Sequence, residues 1–338
     1  MMKNSYKLVF ILSMMMGTMI AVSSSSWFSI WMGLEINLLS FIPLMTSSKN
    51  LFSSEASLKY FMTQALASAI LFFSVILMYF FLKESLTEKY FMILISSTMM
   101  LKMGAAPFHF WFPSVMEGLN WYSNMVLLSW QKIAPMLILS YCMNLNLLIL
   151  IIFLSIFFGS LGGLNQTSLR KLMAFSSINH MGWMIMALIF NEILWMNYFL
   201  FYILLSLFII FIFNNLKMLN LSQTFSLPLN KLTKMFIFSN LLSLGGLPPF
   251  LGFMPKWMVI EMASMNNMFF ILIFMLFFTL ITLFFYLRIS YTAFLMNHKN
   301  MNWNYKNYQH KNNFFIMMMI STTSIFGLMS INLLYYFI

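Results

Sequence analysis

Runs of apolar residues, each about as long as a membrane span, follow one another through most of the sequence with only short polar breaks. A transmembrane helix needs about 20 mostly apolar residues. The runs predict about eleven spans, with ends placed to within about four residues, at 7–24, 27–46, 56–82, 90–112, 121–143, 146–165, 171–190, 193–216, 235–262, 267–294 and 313–337. We therefore expect an all-α polytopic membrane protein with no soluble domain left over.

Composition agrees with a membrane protein and excludes several other classes. Hydrophobic residues make up 62% of the chain and charged residues 7%, against roughly 25% charged residues in soluble domains. A single cysteine, Cys142, excludes an internal disulfide, a cysteine-based zinc site and an iron–sulfur cluster. Neither glycine-rich nucleotide-binding motif occurs, and the basic residues form no face with interleaved aromatic side chains. We expect no metal, redox cofactor or nucleic acid on this chain.

Residue usage favours a mitochondrial origin. All 7 acidic residues are glutamate, while the chain has 37 methionines and 40 phenylalanines, a usage typical of an A+T-rich organellar genome. The first apolar run, with Lys3 and Lys7 ahead of it, also resembles a secretory signal peptide. Because the next span follows at once after a short serine patch, we favour a retained first helix.

The basic residues are distributed very unevenly between the two sides of the membrane. If the spans alternate, only Lys83 and Lys89 fall on one side, within a "KESLTEK" loop that also holds Glu84 and Glu88. The other side receives Lys3, Lys7, Lys49, Lys59, Arg170, Lys171, Lys217, Lys231, Lys234, Arg288, Lys299, Lys306 and Lys311. The positive-inside rule then places the N-terminus on the matrix side and the C-terminus on the intermembrane-space side.

The three basic residues assigned to neither side, Lys102, Lys132 and Lys256, fall inside predicted spans, as does Glu35. A charge at mid-membrane costs ~2.5–3.5 kcal/mol on insertion scales, so such residues normally face a polar interior and serve a function. A structural salt bridge is the alternative for Glu35, and snorkelling to a headgroup is the alternative for a lysine near a span end. Lys132 is too central to snorkel, and it precedes Pro135, which removes a helix hydrogen bond and can open the backbone.

A short pattern, G-x-x-P-F-x-x-x-x-P, occurs in both halves of the chain, each time beside a lysine. Its members are Gly104, Pro107, Phe108 and Pro113 near Lys102, and Gly246, Pro249, Phe250 and Pro255 near Lys256. Paired interrupted spans indicate a repeat-built transporter whose ion path runs through broken helices. We expect repeat halves at 27–143 and 146–294, followed by a C-terminal helix at 313–337.

Two histidines fall near these features. His109 lies just beyond Pro107, and His180 lies inside the seventh predicted span. Each is either a structural hydrogen-bonding group or a proton carrier, and the buried lysines nearby favour the second. No other histidine or cysteine stands at ligand spacing, so we expect no zinc.

The remaining acidic residues carry no functional prediction. Glu117 and Glu192 fall at span ends and are expected to be solvated, and Glu261 is ambiguous. Glu55 and Lys59 are spaced as a helical ion pair.

The motifs "WMGLEINLLSF", "KMGAAPFHFWFP", "SWQKIAP", "GGLNQTSLRKLMAFSSINHMGW" and "LGGLPPFLGFMPKW" occur in this order over most of the chain. In them the chain resembles the antiporter-like membrane subunits of mitochondrial respiratory complex I, NADH:ubiquinone oxidoreductase, in their animal and specifically insect form. The resemblance implies a fold of two inverted five-helix repeats with broken helices. It implies neighbouring antiporter-like subunits in the inner-membrane arm and contact with phospholipids such as cardiolipin. It places FMN, the iron–sulfur clusters and ubiquinone in other subunits.

The resemblance also assigns roles to residues of this chain. Glu35 is the acidic partner, Lys132 is the central lysine, and Lys102 and Lys256 are the lysines of the first and second broken helix. His109 and His180 match polar positions along the same axis. The implied function is proton translocation coupled to electron transfer from NADH to ubiquinone in the rest of the complex.

A general physical argument links these residues to proton transfer. Burial disfavours the charged form of a lysine and a nearby carboxylate favours it, so a change in their interaction moves a proton. Lys102 and Lys132 are expected to pass protons through water, His180 to bridge to the second half, and Lys256 to lie toward the exit or the neighbouring subunit. Two alternatives stay open: a stand-alone Mrp-type cation/proton antiporter, and a scaffold whose charges form locked salt bridges.

Overall fold

The computed structural model describes residues 5–47, 50–80, 85–226 and 231–295, and near the C-terminus 318–319, 321–325 and 327–328. Within 5–295 the chain forms fourteen helices, and one isolated antiparallel bridge joins Ser168 to Asn220. The helices are α1 (Ser5–Ser23), α2 (Trp27–Met45), α3 (Leu51–Phe80), α4 (Ser85–Met103), α5 (Trp111–Gly118), α6 (Trp121–Leu128), α7 (Trp130–Tyr141), α8 (Leu145–Gly163), α9 (Leu169–Phe190), α10 (Glu192–Asn215), α11 (Leu221–Ser226), α12 (Lys231–Gly245), α13 (Phe253–Met265) and α14 (Phe269–Leu295). The predicted all-α class is confirmed.

Seven of the described helices are long and apolar enough to cross a membrane: α1, α2, α3, α8, α9, α10 and α14. Three predicted spans fall instead on pairs of shorter helices. Residues 90–112 meet α4 and α5, residues 121–143 meet α6 and α7, and residues 235–262 meet α12 and α13. The membrane-protein prediction is confirmed, whereas the total of about eleven spans stays a prediction.

Some sequence predictions concern residues outside the described ranges. These are Lys83 and Glu84 of the predicted loop, and the basic residues Lys3, Lys49, Lys299, Lys306 and Lys311. Most of the predicted C-terminal span 313–337 also lies outside, but residues 321–325 within it are helical.

The chain divides into two compact units, residues 1–155 and 156–338, and the division falls within α8. In the first unit, α1 and α2 pack with almost no space between their backbones. A Cβ added to Gly17 would lie 2.9 Å from the Asn37 nitrogen, and one added to Gly33 would lie 2.6 Å from the Ala21 nitrogen. Small residues allow this close approach in membrane helices. Helix α3 packs on α2, α4 and α5, and α7 packs on α1 and α4.

In the second unit, α9 is the central helix. Almost every residue from Leu172 to Leu188 is buried. Helices α10, α13 and α14 contact α9, and α12 packs on α10 and α14. Polar side chains on α9 are therefore enclosed by neighbouring helices of the same unit.

Candidate functional site

Two helices, α4 and α12, each end in the same type of turn, which depends on a glycine. Helix α4 ends just before Gly104 and α12 ends just before Gly246, and these glycines have φ of +73° and +84°. The amide after each glycine donates to the carbonyl five residues back: Ala105 to Met100 at 3.0 Å, and Leu247 to Leu242 at 3.5 Å. This is the hydrogen-bond pattern of a Schellman cap, which needs a left-handed residue.

After each glycine the next helix begins at the same distance along the chain. Helix α5 begins at Trp111 and α13 begins at Phe253, and Pro113 and Pro255 are the third residues of those helices. Proline is tolerated in a first helical turn because its missing N–H has no intrahelical partner there. The sequence pattern is therefore a structural repeat, and the predicted broken helices are confirmed.

The two lysines beside the breaks lie on opposite sides of them. Lys102 precedes Gly104 and belongs to α4, whereas Lys256 follows Gly246 and belongs to α13. The ammonium of Lys256 reaches back across the break and donates to the Gly245 carbonyl at 2.6 Å. Glycine suits position 246, because the φ of +84° strains a residue with a side chain and an added Cβ would also lie 2.9 Å from the Lys256 Nζ.

At the first break, side chains from elsewhere bind the carbonyls at the end of α4. The Gln64 amide donates to the Lys102 carbonyl at 3.2 Å, and the Trp111 indole donates to the Leu101 carbonyl at 3.1 Å. Carbonyls freed by a helix break are thus satisfied within the membrane interior.

Glu35 and Lys102 are close enough to interact electrostatically. Glu35 lies in α2 and is half-buried, and its Oε2 is buried without a hydrogen bond from any described residue. The side chain of Lys102 is 7% exposed. The predicted acidic partner therefore lies within electrostatic range of the lysine of the first broken helix.

A small polar cavity, which we call the Lys102 cavity, adjoins Lys102 and has room for about one water molecule. Its lining residues are Leu34, Asn37, Leu38, Tyr60, Gln64, Lys102, Gln131 and Pro135. The Gln131 amide nitrogen donates to the Asn37 side chain at 3.0 Å, and the Tyr60 hydroxyl donates to Gln131 at 3.4 Å. Helices α2, α3 and α7 therefore each place a polar side chain at the cavity.

Lys132 lies immediately after another interruption, between α6 and α7. The interruption is at Ser129 (φ −108°, ψ −76°), and α7 continues through Pro135. The sequence predicted that the helix opens near Pro135, whereas in the structure the interruption lies at Ser129, just before Lys132. Lys132 is 2% exposed, and its Nζ lies 5.3 Å from the centre of the Phe112 ring. Phe112 in turn packs against Gly104, so Lys132 lies near the first helix break.

The two histidines occupy different environments. His109 lies in the first break, is 4% exposed and stacks on Phe110 with 4.4 Å between ring centres. His180 lies on α9, and its Nδ1 is 2.9 Å from the Tyr198 hydroxyl. The Tyr202 ring lies 5.2 Å from the His180 ring, centre to centre.

Polar groups on α9 continue toward Lys256. Trp183 lies one turn beyond His180 on α9, and its ring is 5.8 Å from the Lys256 Nζ. Ser177, one turn before His180, approaches Tyr202. His180 and Lys256 thus lie on packed helices of the second unit, while Glu35, Lys102 and Lys132 belong to the first unit.

Sequence reasoning missed several polar residues that are buried or, in the case of Gln131, partly buried. They are Asn37, Tyr60, Gln64, Gln131, Tyr198, Tyr202, Lys234, Asn240 and Tyr286. Lys234, which was assigned to a loop, is 6% exposed and lies inside α12. Glutamine and asparagine in mid-span were an available signal. The tyrosines carried none, because tyrosine is also common at membrane surfaces.

The other charged residues behave largely as expected. Glu117, Glu192 and Glu261 are exposed. Glu55 and Lys59 form an exposed ion pair at 2.6 Å. Among the described residues, no three or more His, Cys, Asp or Glu side chains are grouped so that they could hold a metal ion.

Two family profiles match the chain and together cover nearly all of it. Residues 24–282 match the membrane domain of the NADH:quinone oxidoreductase/Mrp antiporter family. Residues 283–335 match the family of the NADH dehydrogenase subunit 2 C-terminus.

Curated relatives with high identity carry one common name, NADH-ubiquinone oxidoreductase chain 2. The Anopheles gambiae protein is 52% identical over 338 residues, which is 99% of this chain and 99% of the relative. The Bos taurus protein is 40% identical over 313 residues, covering 88% of this chain and 90% of the relative. The predicted resemblance is confirmed.

Solved structures with low identity share the fold. A chain of respiratory complex I from Thermus thermophilus superposes with a TM-score of 0.81 at 23% identity, covering 95% of this chain and 78% of the other. A chain of the Mrp complex from Dietzia sp. superposes with a TM-score of 0.77 at 18% identity, covering 84% of this chain and 60% of the other. The antiporter-like fold is therefore confirmed.

Proposed function

Because the chain belongs to the NADH-ubiquinone oxidoreductase chain 2 family, we propose that it translocates protons across the mitochondrial inner membrane as a core membrane-arm subunit of complex I. Electron transfer from NADH to ubiquinone takes place in other subunits, which hold FMN, the iron–sulfur clusters and ubiquinone. Its own contribution is a series of buried groups that take up and release protons.

One observation carries this proposal: lysines are buried at helix interruptions in both units. Lys102, Lys132 and Lys256 are 7%, 2% and 5% exposed, and each lies within a few residues of a break. Broken backbone at membrane depth is tolerated only inside protein or beside a water-filled cavity. A buried lysine next to such a break gains access to water and polar backbone groups, which a proton carrier needs.

In the first unit, Glu35 and Lys102 form the coupled pair. The Glu35 carboxylate stabilises the charged ammonium of Lys102, and separation of the two would favour release of the proton. The Lys102 cavity, with Gln131 and Tyr60 at its wall, offers a position for a water that receives it. Lys132, next to Gln131 on α7, is the following carrier.

In the second unit, Lys256 and His180 act as the carriers. His180 has a polar partner in the Tyr198 hydroxyl at 2.9 Å. Lys256 exchanges its hydrogen bond to the Gly245 carbonyl for a bond to water when it takes up or releases a proton. His109, at the first break, contributes as a polar group beside Lys102.

The arrangement in the membrane follows from charge and surface chemistry. We assign the N-terminus to the matrix and the C-terminus to the intermembrane space, because basic residues accumulate on the N-terminal side. Exposed aromatic residues on α14, such as Phe270 and Phe277, suit contacts with neighbouring antiporter-like subunits and with phospholipids such as cardiolipin.

Replacement of Lys132 by methionine tests the function. The change keeps most of the side-chain bulk and removes the charge, so we expect NADH-driven proton pumping by the assembled complex to fall strongly. Lys59→Met is the matched control, because Lys59 is exposed and paired with Glu55 on the surface. Unchanged pumping by the Lys132 variant contradicts the proposal. Sodium-dependent proton movement without NADH oxidation would instead support the alternative function, a stand-alone Mrp-type cation/proton antiporter.

A further inference from the structure

The C-terminal helical residues 321–325 pack against the second helix break. Ser321 and Ser324 are both fully buried, at 0% exposure. The Ser324 carbonyl accepts a 3.0 Å hydrogen bond from the Leu251 amide. Leu251 lies between the Gly246 cap and the start of α13, so this bond fixes the segment that joins the two half-helices.

The side chain of Ser324 binds the helix on the other side of the break. Its hydroxyl donates to the Asn240 side-chain oxygen at 2.5 Å. Asn240 lies on α12 and is 1% exposed, and its own amide donates to the Phe236 carbonyl at 2.9 Å. Ser324 therefore connects α12, before the break, to Leu251, after the break.

These bonds satisfy groups that are costly to leave unpaired. An unsatisfied backbone group in the membrane interior costs several kcal/mol, and the Leu251 amide lies where no α-helix supplies a partner. Gly327 adds close packing, since an added Cβ would meet the Leu251 side chain. On the other side of the segment, Gly252 leaves no room for a side chain against the Ser243 carbonyl.

Among the described residues, no long-range hydrogen bond corresponding to that of Asn240 is made at the first break. By the shared pattern, Thr98 of α4 corresponds to Asn240, and its hydroxyl donates to the Ile95 carbonyl of its own helix at 2.7 Å. Gln64 and Trp111 instead bind the carbonyls there. The contact with the C-terminal residues is therefore a feature of the second break, the one that holds Lys256.

We propose that Ser324 and Asn240 are positioning residues for Lys256. Together they hold α12 and the segment before α13 at the separation at which the Lys256 ammonium reaches the Gly245 carbonyl. The C-terminal segment thereby sets the hydrogen bond that Lys256 must exchange during proton transfer. The effect on pumping rests on the proposed function, whereas the contact itself does not.

Cysteine cross-linking in the assembled complex tests the contact alone. In a Cys142→Ser background, the pair Asn240→Cys and Ser324→Cys is treated with a membrane-permeant oxidant and then denatured and labelled with a maleimide. We expect the oxidised pair to be protected from labelling because the two side chains touch. Asn240→Cys with Thr322→Cys is the control pair, since Thr322 is exposed. Equal labelling of both pairs overturns the proposed contact.

Point variants test the positioning role. Loss of one ordinary buried hydrogen bond shifts the equilibrium between the positioned and displaced break about fivefold, so for Ser324→Ala we expect fewer protons pumped per NADH and a displaced pH profile. Ser324→Thr, which keeps the hydroxyl, and Thr322→Ala should match the wild type. NADH oxidation with an artificial electron acceptor reports the amount of assembled complex, so that variants are compared at equal amounts of complex.

Each remaining outcome is decisive. If Ser324→Ala leaves the ratio and its pH profile unchanged while Lys256→Met lowers the ratio, the positioning role is wrong. If Lys256→Met has no effect, the proposed function of Lys256 fails, although the cross-link result stands. If Ser324→Ala does not assemble, the cysteine pair replaces it: pumping restored by oxidation supports positioning, and equal pumping before and after oxidation contradicts it.

Discussion

The Lys256 ammonium donates a 2.6 Å hydrogen bond to the carbonyl oxygen of Gly245, the last residue of α12. A cation at the carboxyl end of a helix binds the end that carries partial negative charge. The side chain thus joins the two half-helices of the second break directly. A change at this point should affect both the fold of the break and the chemistry of the lysine.

Gly246→Ala should disturb the second break in two ways. A left-handed backbone costs a residue with a side chain about 1–2 kcal/mol, and the new methyl group would overlap the Lys256 side chain. We expect less assembled complex on native gels and fewer protons pumped per NADH in what assembles. Gly245→Ala is the control for the backbone, because Gly245 lies within α12 and lacks the positive φ of Gly246, although the new methyl group would still contact Leu283 and Tyr286. Equal losses in both variants would count against a special role for position 246.

Glu35→Gln should lower pumping without preventing assembly. The substitution keeps the shape of the side chain and removes the carboxylate that interacts with Lys102. The measurement is the initial rate of NADH-driven acidification inside sealed membrane vesicles, normalised to NADH oxidation. Glu192→Gln provides the comparison, since Glu192 is exposed at the start of α10. A wild-type rate for the Glu35 variant would remove Glu35 from the pathway.

Gln131→Leu should both destabilise the first unit and slow pumping. The leucine cannot bind Asn37 or Tyr60, and a buried group left without its partner costs about 1–3 kcal/mol. We expect a lower thermal midpoint for the detergent-solubilised complex and a lower pumping rate. Gln166→Leu is the matched control, because Gln166 binds only the nearby Gly162 carbonyl, outside the Lys102 cavity. Normal pumping by the Gln131 variant would show that the cavity wall has no part in proton transfer.

The sequence predicted the helix breaks because glycine and proline act locally. Gly104 and Gly246 are needed wherever the chain adopts positive φ, and Pro113 and Pro255 mark the start of the next helix, so the pattern alone located both breaks. The interruption before Lys132 was not located, because Ser129 has no such local signature and Pro135 lies inside a continuous helix.

Contacts between distant residues were not predictable in the same way. Asn240 and Ser324 are far apart in sequence, and an asparagine in mid-span signals a buried polar group without identifying its partner. The burial of Lys234 depends on how α12 packs on α10 and α14. The sequence places Lys102 before its break and Lys256 after its break, but it did not reveal that the Lys256 ammonium reaches back to the Gly245 carbonyl.

The central claim is that buried lysines at helix breaks in both units carry protons, and the ratio of protons pumped to NADH oxidised tests it most directly. We predict that Lys102→Met and Lys256→Met each lower this ratio in reconstituted vesicles, while Lys59→Met leaves it at the wild-type value. A wild-type ratio in both the Lys102 and the Lys256 variant, with normal NADH oxidation, would contradict the claim and favour a structural role for these charges.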